Sequence, residues 1–246
     1  PNGDVYAATR GDGVQRSQDG GTTWTKVLGS GVSQGSSDSS NDIEIGPDGS
    51  IWTMTGYRSS TYIYKSESGD NVGDIDNWTR VGHTGTGFAG SQDRVEIAVA
   101  ASNPDIVYAV CANANASGTT VATYIYKTID GGQSWFRAST APSITPTSNS
   151  NFAGDQAWYD LDIEVDPNNA DRVVIGGIDL MMSVNGGTNW SALTSAYSPV
   201  APYVHPDQHL IYYHPTLPNH LFIGNDGGIY RSTDANNSPS SVRFTM

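Results

Sequence analysis

Apolar side chains along this chain fall in short runs, each closed by glycine, proline, aspartate or asparagine, and nowhere at the spacing of an amphipathic helix. Asn41-Asp42-Ile43-Glu44-Ile45 alternates polar and apolar, Pro47-Asp48-Gly49 turns the chain, and further strands are predicted over 50–55, 61–65 and 77–81. The same order of four strands recurs over 93–100, 105–112, 122–128 and 134–138. It recurs again over 158–165, 172–178, 180–183 and 189–193, and over 207–213, 220–224, 228–232 and 242–246. The first unit is shorter: residues 4–9 align with the second strand of the others, so an innermost strand is missing.

Tryptophan marks the period. Trp24, Trp78, Trp135 and Trp190 stand 54, 57 and 55 residues apart, and Phe244 follows 54 residues later. One unit is therefore repeated, over about 1–30, 31–82, 83–140, 141–195 and 196–246. Four-stranded antiparallel units of this length predict an all-β chain whose sheets stack radially as the blades of a β-propeller. About five blades are present, and the missing inner strand points to a larger ring of six to eight blades, with a five-bladed or open arrangement as the alternative. The start at Pro1, inside a repeat, suggests a processed or truncated product.

Three of the tryptophans close one octapeptide. It reads Ser-Gln-Asp-Gly-Gly-Thr-Thr-Trp from Ser17 to Trp24, Thr-Ile-Asp-Gly-Gly-Gln-Ser-Trp from Thr128 to Trp135, and Ser-Val-Asn-Gly-Gly-Thr-Asn-Trp from Ser183 to Trp190. The carboxylate of Asp19 or Asp130 is suited to accept backbone N–H groups of a hairpin turn, and the glycine pairs that include Gly21, Gly132 and Gly187 permit positive φ. The tryptophan then pins the hairpin against the blade. Asn185 keeps an acceptor oxygen without the charge, so the role is architectural and not catalytic. This octapeptide resembles the Asp-box of the BNR-repeat families, which include sialidases, xyloglucan-degrading endoglucanases and sortilin-type receptors. The stretch from His205 to Asp234 also looks like a segment common in secreted bacterial BNR-repeat proteins, many labelled glycosyl hydrolase by similarity. That resemblance implies an extracellular or cell-surface location. Sialidases of this fold use three arginines, one in an Arg-Ile-Pro motif, and a tyrosine nucleophile; no Arg-Ile-Pro occurs here, so that activity is not carried over. The endoglucanase relatives use carboxylates across a cleft between two propellers, and their site has no residue-by-residue counterpart in one incomplete propeller.

Charge narrows the partners. Twenty-five acidic against twelve basic side chains give a formal charge of −13, which repels phosphate backbones and anionic lipid headgroups. Nucleic acid and membrane insertion are therefore excluded as expectations, and no apolar stretch approaches the ~18 residues of a membrane helix. Cys111 is the single cysteine and lies in an apolar run, which reads as an inert buried thiol.

The starts of the inner strands are unusually polar and concentrate the candidate chemistry where propeller loops converge. Alternation places Asp160, Asp162 and Glu164 on one face, with Arg94 on the preceding blade as their partner. They read either as an acid, base or metal cluster or, the preferred reading, as a hydrogen-bonded channel wall. A catalytic carboxylate pair would be drawn from Asp93, Asp160, Asp162 and Asp207. His205, Asp207 and His209 share an expected strand face and are candidate ligands of zinc or another divalent ion, against a polar network that fixes the blade entry. In the second unit an insertion replaces the box, and its Asp70, Asp74 and Asp76 are candidate calcium ligands, against a solvated acidic loop. No cofactor is certain; calcium or another divalent ion is the open candidate. Three functions follow. The first is a secreted or surface recognition module that binds polysaccharide, another glycan or a protein at the channel mouth through Arg94, Trp158, Tyr159, His205 and His209, with Tyr203 and Tyr212 nearby. The second is a glycoside hydrolase, and the third a structural segment joined to other domains of one parent chain.

Overall fold

The computed structural model describes residues 3–114, 120–143, 151–197, 201–217 and 219–246. Five consecutive antiparallel sheets follow one another as blades 1 to 5. Blade 1 has three strands, Val5–Ala8, Val14–Ser17 and Thr25–Leu28, and lacks the inner strand as expected. Blade 2 runs Ile43–Ile45, Ile51–Thr55, Tyr62–Ser66 and Trp78–Gly82. Blade 3 runs Arg94–Val99, Val107–Ala114, Thr120–Thr128 and Phe136–Thr140. Blade 4 runs Asp162–Val165, Val173–Gly176, Leu180–Ser183 and Ser191–Ala192. Blade 5 has Gln208–Tyr213, Leu221–Asn225 and Gly228–Ser232. Its fourth strand, expected over 242–246, is reduced to one pairing between Arg231 and Thr245, closed by two backbone hydrogen bonds of 2.7 and 2.9 Å.

An inner blade is covered on both faces, so its strands must be apolar on both, which is why residues 107–112 read as an unbroken, buried apolar run instead of an alternation. Four apolar cores hold the described residues together, one at each blade junction. Val14, Val27 and Leu28 of blade 1 meet Ile51, Tyr64 and Trp78 of blade 2. Trp52, Met54 and Ile63 meet Val95, Ile97, Val107 and Cys111 of blade 3. Tyr108, Val110 and Ile125 meet Ile163, Val165, Val173 and Met181 of blade 4. Val174, Leu180 and Met182 meet Ile211, Tyr213, Leu221 and Ile223 of blade 5.

The three octapeptides fold as the same hairpin. Oδ1 of Asp19, Asp130 and Asn185 accepts the backbone N–H of Thr23, Ser134 and Asn189 at 2.8, 2.9 and 2.9 Å. The hydroxyls of Ser17, Thr128 and Ser183 accept from Gly21, Gly132 and Gly187 at 2.8, 3.0 and 2.9 Å. Gly132, at φ 89°, sits so close to blade 2 that a Cβ there would meet Val81 at 2.9 Å and Trp52 at 3.1 Å.

Two of the tryptophans pin their hairpins against the preceding blade. The Trp135 indole donates to the Val81 carbonyl of blade 2 at 3.0 Å, and the Trp190 indole to the Ser139 hydroxyl of blade 3 at 3.0 Å. Trp24 has no preceding blade among the described residues; its indole bonds only its own hairpin at Gly21, and 43% of it is exposed.

Candidate functional site

Three inner strands carry one pattern in one register: Asp42-x-Glu44, Arg94-x-Glu96 and Asp162-x-Glu164. The first position clips each strand to the next. Asp42 accepts the Ile97 N–H at 2.7 Å, Arg94 donates to the Leu161 carbonyl at 3.0 Å, and Asp162 accepts the Ile211 N–H at 2.5 Å. The second position gathers glutamates around the axis, where Glu44 feels the charges of Asp42, Glu164, Asp162 and Glu96. Burial first, and then these like charges, push Glu44 up to about 9 and Glu164 up to about 8. Burial also raises Asp42 to about 6 and Asp162 to about 7, and holds Glu96 well above the usual carboxylate range.

Arg94 pairs directly with Glu96 of its own strand at 2.6 Å, donates to a backbone carbonyl of blade 4, and serves the Asp160–Glu164 cluster through its charge, which lowers Asp162. Asp160 departs from the expected strand face. The blade 4 inner strand starts at Asp162, because the Gln156 carbonyl accepts the N–H groups of Tyr159 and Asp160 and folds 156–160 into a turn. Asp93 has a local role, accepting the Ala114 N–H at 2.5 Å and closing the inner hairpin of blade 3.

The turn places a second cluster at the mouth between blades 4 and 5. Gln156 Nε2 donates to Asp160 at 3.0 Å and to Asp207 at 2.5 Å, tying two carboxyl groups together. Asp160 is fully buried and its Oδ1 has no hydrogen-bond partner, so burial, followed by the charge of Asp207, raises it to about 8. Around this pair lie exposed rings. Trp158, 48% exposed, packs at 5.6 Å on Tyr159, and Tyr159 packs edge-on at 4.7 Å on His209. Tyr159 donates to Asp226 at 3.0 Å, and His209 Nε2 lies 2.9 Å from the same carboxylate. His209 and then Tyr159 hold the Asp226 carboxyl below its usual value. Asp226, in the turn between two strands of blade 5, carried no signal in the sequence beyond its glycine-flanked turn.

The expected metal sets are not assembled. Asp207 sits at φ 67° ahead of the strand and a bulge separates Gln208 from Leu210, so His205, Asp207 and His209 do not share a strand face. His205 Nδ1 turns to the Pro206 carbonyl, and its ring lies on Gly227, where a Cβ would come within 2.4 Å. In the insertion Asp74 pairs with Arg16 of blade 1, while Asp70 and Asp76 are exposed. Among the described residues no group of three His, Cys, Asp or Glu side chains is arranged to hold a metal ion. The insertion instead borders a polar groove of about 540 Å³ with the blade 1 hairpin, lined by Arg16, Thr25, Asn71 and Asn77. Tyr203 and Tyr212 are exposed; Tyr212 lies on the inner strand of blade 5.

No family model matches the chain, and no curated protein matches it in sequence. Solved structures do match in fold. The GH74 xyloglucanase from Xanthomonas campestris superposes with a TM-score of 0.58 at 15% identity, over 98% of this chain and 36% of that one. A GH74 enzyme from Niastella koreensis gives 0.53 at 16% identity, over 99% of this chain and 41% of that one. YCF48 bound to D1 peptide gives 0.53 at 17% identity, over 94% of this chain and 61% of that one. The fold is a β-propeller. The chain spans less than two thirds of the length of each of these neighbours, and at such identities the likeness concerns fold alone.

Proposed function

We propose that the chain is a recognition module, acting outside the cell or at its surface, that binds glycan at the mouth between blades 4 and 5. The observation that supports this is the exposed row of Trp158, Tyr159 and His209 backed by the Asp226 carboxylate. Aromatic faces stack on the apolar face of a sugar ring while carboxylate and imidazole groups take its hydroxyls. The neighbours are consistent with a propeller used this way: one set acts on xyloglucan, and another is bound to a peptide. Among the described residues no helix is long and apolar enough to cross a membrane.

A hydrolase is the second reading, and the Gln156 bridge is what favours it. Asp160, neutral at pH 7, would donate a proton to a leaving glycosidic oxygen, with Asp207 as the second carboxyl group of the pair. Asp160 is closed off from solvent behind Gln156, which places recognition ahead of catalysis. Incubation with xyloglucan and a panel of other polysaccharides separates the two. Retardation in glycan-loaded gels without release of reducing ends is the expected result. Release that is lost in Asp160→Asn while retardation persists would establish the hydrolase, and no retardation with any glycan would end the glycan reading.

A further inference from the structure

We infer that the polar groove between blades 1 and 2 is a carbohydrate site in its own right, built to take a short neutral sugar. Box hairpins join the third and fourth strands of a blade, while the turn that holds Asp226 joins the second and third, so groove and mouth lie at opposite ends of the sheets. The groove does not depend on the mouth binding glycan.

At the second and third junctions a box hairpin of the following blade closes over the fourth strand of the blade before it. Gly132 lies hard against Val81, and the Trp135 and Trp190 indoles donate to Val81 and Ser139. Val27 stands three residues after Trp24, as Val81 stands three after Trp78, so it marks the same seat on blade 1. No box hairpin comes down on it, because in blade 2 the insertion replaces the box. Trp78 fills the apolar part of this junction with Val27 and Tyr64, yet its buried indole N–H has no acceptor among the described residues. The seat stays open as the groove of about 540 Å³, with Val27 in its wall. Small-molecule sites span roughly 300–1,000 Å³.

The walls are fixed before a ligand arrives, which lowers the cost of binding. Asp74 of the insertion pairs with Arg16, the Tyr6 hydroxyl donates to the Val72 carbonyl at 3.2 Å, and Gly73, at φ 74°, lies where a Cβ would strike that tyrosine. Asn77 Nδ2 ties the insertion to itself through the Asn71 and Glu67 carbonyls at 2.9 and 3.1 Å. Between these fastenings Gln18 and Thr25 line one wall and Asn71 and Asp76 the other, and among the described residues no hydrogen bond or ion pair engages their side chains. Amide, hydroxyl and carboxylate groups together match sugar hydroxyls, each of which donates and accepts. Ile75, 42% exposed, offers an apolar patch to the C–H face of the ring. Arg16 is the one basic side chain in the lining and is spent on Asp4 and Asp74, which leaves Asp76 as an uncompensated negative charge and selects against anionic ligands.

The test is an amide-resolved NMR titration with glucose, galactose, mannose, xylose and their β-linked disaccharides. It is run on the unsubstituted chain, on the double variant Gln18→Ala with Asp76→Ala, and on Trp158→Ala. Gln18 and Asp76 are exposed and stand on opposite walls, so the double variant keeps the fold. Saturable shifts at residues 18, 71, 75 and 76 are expected with at least one of these sugars. They should weaken at least ~10-fold in the double variant and stay unchanged in Trp158→Ala. No shift at these residues with any of the sugars would overturn the inference whether or not the mouth responds, and so would shifts that survive the double variant. Shifts confined to residues 158, 159 and 209 would leave the mouth reading standing and this one refuted.

Discussion

Replacing Trp135 with alanine is expected to destabilise the fold by ~3–5 kcal/mol, while Trp24→Ala costs ~1 kcal/mol or less. The two residues close the same octapeptide and differ in what lies behind them. Trp135 is 4% exposed, packs edge-on with Phe88 at 5.7 Å, and donates to a carbonyl of the preceding blade. Its removal leaves a cavity in the core of the second junction and a carbonyl without its donor. Trp24 has its face in water and its hydrogen bond within its own hairpin. Urea unfolding of both variants reads the difference. Equal losses would show that the indole stabilises the hairpin itself, and the account of the junctions would be wrong.

Stability is expected to fall as pH rises from about 5 to about 9, by ~2–4 kcal/mol or roughly 5–15 °C in midpoint. The sign follows from the inner strands. Burial, then mutual repulsion, raises Glu44 to about 9, Glu164 to about 8 and Asp162 to about 7, with Asp160 at the mouth raised to about 8. Unfolded carboxyl groups titrate near ~4, so across this window the folded chain holds protons that the unfolded chain has released. The contribution of these groups is complete below about pH 4 and is lost as pH climbs through their folded values. Asp19, Asp130 and Asp226 behave oppositely: their hydrogen bonds lower them, and their contribution is lost only as pH falls below the unfolded value. The optimum should therefore lie in mild acid. Glu44→Gln, which removes the most strongly raised of these carboxyl groups, should raise stability at about pH 9 by ~1–2 kcal/mol and change little at about pH 5. Calorimetry across that range checks both; a flat profile, or a gain toward alkaline pH, would contradict the arrangement of the channel carboxyls.

The blades are legible because three of them repeat the same local chemistry, a turn acceptor, two glycines at positive φ and an indole, and the aromatic period carries through the other two. What an indole seats on was not legible, since the Val81 carbonyl lies 54 residues from Trp135 and belongs to another blade. The inner-strand pattern Asp/Arg-x-Glu stands in the sequence three times, but alternation within one strand marks only the acidic run ending at Glu164. It does not gather Glu44 and Glu96 with that run, because strand alternation gives a face and not the blades that crowd it. Asp160 and the His-x-Asp-x-His run depart from strand alternation for one reason: the backbone turns out of the strand at Gln156 and at Asp207. Asp226 meets Tyr159 across 67 residues, a pairing that no local pattern marks.

The most direct test of the proposed mouth is a calorimetric titration of the chain with oligosaccharides cut from whichever polysaccharide retards it, beside Trp158→Ala and Trp24→Ala. The two indoles are almost equally exposed, at 48% and 43%, but only Trp158 stands beside Tyr159, His209 and Asp226. The account predicts that Trp158→Ala weakens binding at least ~10-fold, equivalent to ~1.4 kcal/mol, and that Trp24→Ala leaves it unchanged. Unchanged affinity in Trp158→Ala, or an equal loss in both, would contradict it.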